Sequence, residues 1–224
     1  MGILLKDLLK SLLAIREKLK EHGSWFEHTF SKCCNEGANA FNMIFNGVTL
    51  TFELLNYYFD IWSKPYPLLA EEEKEKIKRE NAERVLEITK WAFIDALSVI
   101  EYCAKVILKT VDTQRIKQLN ANLQIKMEKG KKRVYLSSIM ELSWNAEFID
   151  DEQYQAWKGL WEIRNTVVHN NAIADKDVKY KIGDIEIVFI KGKKLKGRLD
   201  TYIKLLDTTV DLYLKWLETL LSNK

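Results

Sequence analysis

Arg164, Asn165 and His169 fall within six residues of one another near the end of an apolar-periodic stretch, and their types suit them to chemistry. Tyr154, Trp157, Leu160 and Trp161 recur at three- and four-residue steps, which marks the inner face of an amphipathic helix. Arg164 follows Trp161 by three residues, Leu160 by four and Trp157 by seven, so it shares that face. A guanidinium turned inward is costly unless paired, and such a residue ordinarily has a task or a specific partner. His169 comes one turn after Asn165, on the same side of the helix, and is one of only three histidines. A guanidinium binds anions, and an imidazole exchanges protons near neutral pH.

A second inward charge lies on an earlier helix, which starts in the charged run 71–84 and continues to about residue 109. Its inner stripe includes Trp91, Ile94, Leu97, Ser98, Glu101 and Leu108. Glu101 follows Ile94 by seven residues and Leu97 by four, which puts a carboxylate on an apolar face. An inward acid and an inward arginine on different helices are natural partners. The other reading is a partly exposed Glu101 at the edge of the stripe.

The remaining elements must hold these two helices. The spacing predicts a helix over 3–21 with Leu5, Leu8, Leu9, Leu12, Leu13 and Ile15 on its apolar side, ended by Gly23 and Ser24. A long helix follows over 38–63. Its seam of Phe41, Phe45, Val48, Phe52, Leu55, Phe59 and Trp62 alternates steps of four and three, as core or an oligomer interface would, until Pro65 and Pro67 stop it. Helical patterns also cover 113–129 and 134–147, with Gly130 and its lysines as a basic turn between them. Asp150 and Gln153 form a capping-box start for the helix bearing Arg164, and Asn170 with Asn171 ends it. The β-branched runs 178–182 and 185–190, separated only by Gly183 and Asp184, read as a two-residue hairpin. A final helix over 198–221 turns Tyr202, Leu206, Thr209, Tyr213, Trp216 and Leu220 inward. The fold class expected is all-α: a helical bundle (67–224) with one small β-hairpin before the C-terminal helix, preceded by an N-terminal helical extension (1–66).

Composition narrows the function. The chain is 47% hydrophobic and 30% charged with two prolines, as a mostly helical globular protein would be. A formal charge of +3 is too small to indicate a nucleic-acid partner by itself. Its distribution says more: Arg115, Lys117, Lys126, Lys129, Lys131, Lys132 and Arg133 crowd one stretch, and Lys191, Lys193, Lys194, Lys196 and Arg198 another. Both stretches could meet phosphates, or be solvated linkers. Cys33, Cys34 and Cys103 have no metal-like spacing and suggest reduced intracellular thiols, with Cys103 in a helix core. His22 and His28 are too far apart to ligate from one helical turn. No glycine-rich phosphate loop and no local signature of a serine-based triad is present. Charges inside the first seven residues argue against a secretory signal, and Lys6 stands where a myristoylation signal takes serine or threonine. The apolar stretch 41–62 carries Asn42, Asn46, Glu53, Asn56 and Asp60, which a membrane span rarely tolerates.

The pattern Arg-Asn-x-x-x-His over 164–169 resembles the signature of the HEPN superfamily, the higher eukaryotes and prokaryotes nucleotide-binding domains. Phe93-Ile94-Asp95-Ala96-Leu97-Ser98-Val99-Ile100-Glu101 is similar to that family's earlier helix, which often ends with an inward acid. The hairpin and terminal helix fit as well, so the resemblance covers roughly residues 80–222. It implies a bundle that forms a homodimer through the motif helices, with both motifs facing one cleft. Active members of that family are endoribonucleases that need no metal or other cofactor. The resemblance makes Arg164 a clamp on phosphate oxygens, His169 an acid or base, Asn165 a residue that orients the ring or meets the substrate, and Glu101 the holder of Arg164. Lys129, Lys131, Lys132, Arg133, Lys193 and Lys194 would guide the RNA. The expected function is cytoplasmic RNA cleavage of toxin or antiviral type, with an antitoxin protein as a possible partner and no membrane. The alternative is a non-catalytic module of the same fold that binds nucleotide or protein.

Overall fold

Long stretches without proline leave little to interrupt a helix once it has begun, and the described residues are dominated by seven helices. The computed structural model describes residues 2–30, 35–62, 69–128, 134–195, 197–198 and 200–222. The expected basic turn at Lys129, Lys131, Lys132 and Arg133, together with Lys196, Cys33, Cys34, Pro65 and Pro67, lies outside them. In chain order the elements are α1 (Gly2–Phe30), α2 (Asn35–Trp62), α3 (Glu71–Thr110), α4 (Gln114–Glu128), α5 (Leu136–Asn145), α6 (Asp151–His169), β1 (Val178–Ile182), β2 (Ile185–Phe189) and α7 (Thr201–Leu221). This is the all-α fold with a small hairpin that the periodicities predict.

α1 and α2 run antiparallel: Phe26 meets Phe41 near one end, and Arg16 lies over Phe45 and Phe52 further along. α1 does not stop at Gly23 and Ser24, as expected, but continues to Phe30. Gly23 is buried beside Phe41, and Phe26, one turn on, is fully buried. Burying a phenylalanine stabilises by about 1.5–3 kcal/mol, more than the ~1 kcal/mol that an interior glycine costs a helix. On α2 the fully inward residues are Phe41, Ile44, Val48, Thr51 and Leu55, while Phe45, Phe52 and Phe59 are only partly covered. α1 and α2 pack on α7 and α3 respectively, and their apolar residues belong to one continuous buried cluster running from Leu5 to Leu221.

α7 is the central post, touching α1, α3, α4, α6 and β2. All six residues expected inward on it are buried. Trp216 Nε1 donates to Ser143 Oγ on α5 at 3.0 Å, which satisfies a donor deep in the core. On α3 the expected stripe needs correction. Ile94, Leu97 and Leu108 are buried, but Trp91 is 56% exposed. Phe93, about 200° further around the helix, takes the inward place. Cys103 is buried, as a small hydrophobe in a helix core.

The hairpin pairs Ile182 with Ile185 across Gly183, whose φ of 56° a glycine adopts without strain. The hairpin docks on α6 at Gly159, where an added Cβ would lie 2.7 Å from Ile182 Cδ1 and 2.9 Å from Tyr180 Cβ. That glycine lets strand and helix approach closely and fixes the far side of the helix bearing Arg164. Among the described residues, no helix is long and apolar enough to cross a membrane.

Candidate active site

α6 is started by Asp150. Its carboxylate accepts from Gln153 N at 2.7 Å, and Gln153 Oε1 accepts from Asp150 N at 3.1 Å, the reciprocal cap expected from the sequence. The outer flank of the helix carries an aromatic ladder. Trp144 stacks on Tyr154 at 4.6 Å, Tyr154 meets Trp161 edge-on at 6.1 Å, and Trp144 Nε1 donates to Asp151 at 2.6 Å. The buried face of α6 is Ala156, Trp157, Leu160, Ile163 and Thr166. Arg164 is half-buried at the border of that face, one turn beyond Trp161.

Here α6, α3 and the start of α5 leave a cleft of about 380 Å³. α6 contributes Trp161, Arg164, Asn165 and His169, and Asn170 follows at its C-cap; α3 contributes Leu97 and Glu101; Tyr135, Leu136 and Ser137 close the third side. All four residues singled out for chemistry, Arg164, Asn165, His169 and Glu101, therefore line one concavity. Asn165 and His169 are exposed. His169 is the last residue of α6, and the chain turns away after it through Asn171 (φ 50°) and Ala172 (φ 63°), with Ala172 N donating to Thr166 O at 2.9 Å. An imidazole at such an open rim can reach a ligand without moving the helix.

The buried pair expected between Glu101 and Arg164 is not formed. Glu101, whose side chain is 16% exposed, instead takes Lys105 at 2.5 Å, one turn along its own helix. A Glu-to-Lys pair at i,i+4 needs no approach between helices, and the long lysine stem reaches it readily. Arg164 keeps a buried Nε with no hydrogen-bond partner among the described residues. The guanidinium itself lines the cleft wall, and a guanidinium binds anions through paired N–H donors.

The basic stretches fall differently. Lys129, Lys131, Lys132 and Arg133 are outside the described residues, although in sequence they directly precede Val134 and the cleft residue Tyr135. Lys193 and Lys194 are exposed in the turn after β2. That turn is tied to the segment just after His169: Ala174 N donates to Lys193 O at 3.0 Å, and Leu195 N to Ala172 O at 2.7 Å. They flank the motif end of α6 without lining the cleft. Arg115 is engaged elsewhere, donating to Thr219 O and to Ser222 Oγ at 2.8 Å and lying over the Phe148 ring. It ties α4 to the end of α7. Lys117 pairs with Asp112 at 2.9 Å.

One residue of the cleft, Tyr135, and one beside it, Lys105, lie outside the expected site. Tyr135 is 51% exposed and stands ahead of α5, where a lone aromatic gives no periodic signal. Lys105 was legible as a lysine four residues after an acid. Its Nζ lies 5.9 Å from the Tyr135 ring centroid, so it joins α3 to the third wall of the cleft. Of the other histidines, His22 packs edge-on against Phe41 at 5.9 Å. Burial holds its pKa below 6.5 despite the nearby Asp211 carboxylate. His28 is exposed near the end of α1. Among the described residues, no three His, Cys, Asp or Glu side chains converge as a metal set. Set against known protein families, curated proteins and solved structures, the chain finds no match in any of the three.

Proposed function

We propose that this protein is a metal-independent endoribonuclease of toxin or antiviral-defence type, working in the cytoplasm as a homodimer through its motif helices. One observation carries the reading: Arg164, Asn165 and His169 on α6 share a single cleft with Glu101 on α3. The HEPN-like spacing of the motif points the same way.

RNA brings its own nucleophile, the 2′-hydroxyl beside the scissile phosphate. Cleavage forms a bond from O2′ to phosphorus and breaks the bond from phosphorus to O5′. One proton leaves O2′ for a base, and one is delivered to O5′ from an acid. The products are a 2′,3′-cyclic phosphate and a 5′-hydroxyl. His169 suits either transfer near neutral pH. One cleft holds one such imidazole, and a second copy of the chain facing it supplies the other. Arg164 takes the non-bridging oxygens and stabilises the charge that builds on the phosphorane. Asn165 orients the imidazole or meets the substrate. Glu101 shapes the wall opposite Arg164 through its pair with Lys105.

The test is RNA digestion in the presence of EDTA by wild type, Arg164→Ala and His169→Ala, with circular dichroism on each. The reading predicts chelator-resistant cutting that both substitutions abolish in folded protein. Cutting that survives both would refute it. No cutting, together with a melting temperature raised by nucleotide, would favour a non-catalytic binding module.

A further inference from the structure

A second concavity, of about 730 Å³, opens between α3 and α4. Leu108, Leu123 and Val134 make its apolar floor. Lys105 and Lys109, one turn apart on α3, stand along one side, and Asn120 and Gln124, one turn apart on α4, along the other. The Asn120 amide donates to the Leu108 carbonyl, which holds that side chain over the floor. Apolar surface, two cations and two carboxamides suit a ligand with flat apolar faces, a polar edge and an attached anion. A nucleotide has these three parts.

This cavity adjoins the Arg164 cleft. Lys105 lines it while pairing with Glu101 of the first cleft. Val134 lines it, and the next residue, Tyr135, lines the first cleft. Glu101 and Leu108 are seven residues apart on α3, about 10 Å along the helix. The divide between the two concavities is Lys105 with its ammonium over the exposed Tyr135 ring. A cation beside an exposed aromatic is a surface over which a phosphodiester passes and on which a base stacks.

We propose that the cavity between α3 and α4 is a second subsite for single-stranded RNA, taking an unpaired nucleotide that adjoins the one held at the Arg164 cleft. The proposal rests on the RNA reading of that cleft. The base lies on Leu108, Leu123 and Val134, and Asn120 and Gln124 meet its edge, as carboxamides pair with adenine. Lys105 and Lys109 hold the phosphate that links the two nucleotides. A base inside a duplex cannot enter, so the site selects unpaired RNA.

The test uses the full chain carrying His169→Ala, so that RNA is bound and not cut. Fluorescence anisotropy compares a hexaadenylate, a dinucleotide and AMP, with and without the added pair Lys109→Ala and Gln124→Ala. Both added positions are exposed, and circular dichroism verifies folding. The expected result is roughly tenfold weaker complexes with the hexaadenylate and with the dinucleotide, since either spans both sites, and a salt dependence reduced by about one phosphate contact. Unchanged hexaadenylate affinity overturns the proposal, as does a loss for the hexamer with none for the dinucleotide. AMP binding as tightly as the hexamer overturns the strand assignment in favour of a free nucleotide. The nuclease reading fails separately. If the native chain cuts no RNA but the hexamer still loses affinity in the double variant, the subsite stands alone. If the double variant, with His169 restored, cuts long RNA at an unaltered KM, the subsite falls and the nuclease stands.

Discussion

Glu101 holds Lys105 at 2.5 Å along α3, and Arg164, on the same cleft, makes no ion pair with it. The guanidinium is therefore not spent on bracing α6 to α3 through Glu101. Removing it should cost little stability. Arg164→Ala is expected to unfold within about 1 kcal/mol of wild type, a melting shift of no more than about 4 °C for a chain of this size. Breaking a buried ion pair would cost 3–5 kcal/mol, so a fall of roughly 10 °C or more in a thermal melt would contradict the observed pairing.

Gly159 sets how closely the hairpin sits on the motif helix. A valine there would press on Ile182 Cδ1 and Tyr180 Cβ, both within 3 Å of an ideal Cβ. Relief of the ~1 kcal/mol glycine penalty in a helix is outweighed by overpacking of about 1–3 kcal/mol from the larger branched side chain. Gly159→Val should lower the urea midpoint, and a midpoint at or above wild type would show that the hairpin yields freely.

The N-terminal helices report on pH. Lys18 on α1 reaches Asp207 at 2.5 Å and Asp211 at 2.9 Å on α7. Burial lowers its pKa, but the hydrogen bonds to Asp207 and Asp211 outweigh that and raise it above 10.5. A raised lysine pKa means that its stabilisation is complete below 10.5 and is lost as pH climbs through the folded value. Both carboxylates are more than 40% exposed, so the coupling should be under about 1 kcal/mol and weaken in salt. Lys18→Met should flatten the alkaline loss of stability seen in denaturant titrations. A variant that parallels wild type above pH 10.5 would disprove the linkage.

His22 works in the opposite direction. Burial keeps its folded pKa below 6.5, so the unfolded chain takes up the proton first. Stability should be full above about pH 6.5 and decline as pH falls from there to the folded pKa, below which this contribution levels off. Urea midpoints measured either side of pH 6.5 should show this decline reduced in His22→Gln, and an unchanged decline would assign it to other groups.

Much of this architecture is legible before any coordinates, because local rules agree with one another. Asp150 with Gln153 starts α6, Gly183 with Asp184 turns the hairpin, and the inward residues of α7 follow its period without exception. What escapes is set by tertiary context. Gly23 and Ser24 look like a helix end until Phe26 finds its burial against Phe41. Trp91 looks inward until Phe93 takes the core position. Helical spacing shows that Arg164 and Glu101 each share an apolar face and that Asn165 and His169 share a side of α6, and the resemblance joins the four in one site, but the partner of Glu101 is not readable. A residue one turn away on the same helix satisfied it first. Tyr135 carries no periodic signal, since it precedes a helix and lies on no stripe.

The central claim is that Arg164 and His169 act together on an RNA phosphate whose own 2′-hydroxyl is the attacking group. The most direct measurement is mass spectrometry of the fragments from a short single-stranded RNA, beside the same strand carrying one 2′-deoxy nucleotide at the cut site. The account predicts 2′,3′-cyclic phosphate and 5′-hydroxyl ends from wild type, no cut at the deoxy position, and no fragments from Arg164→Ala or His169→Ala. Cleavage at the deoxy position, or equal fragments from either variant, would contradict it.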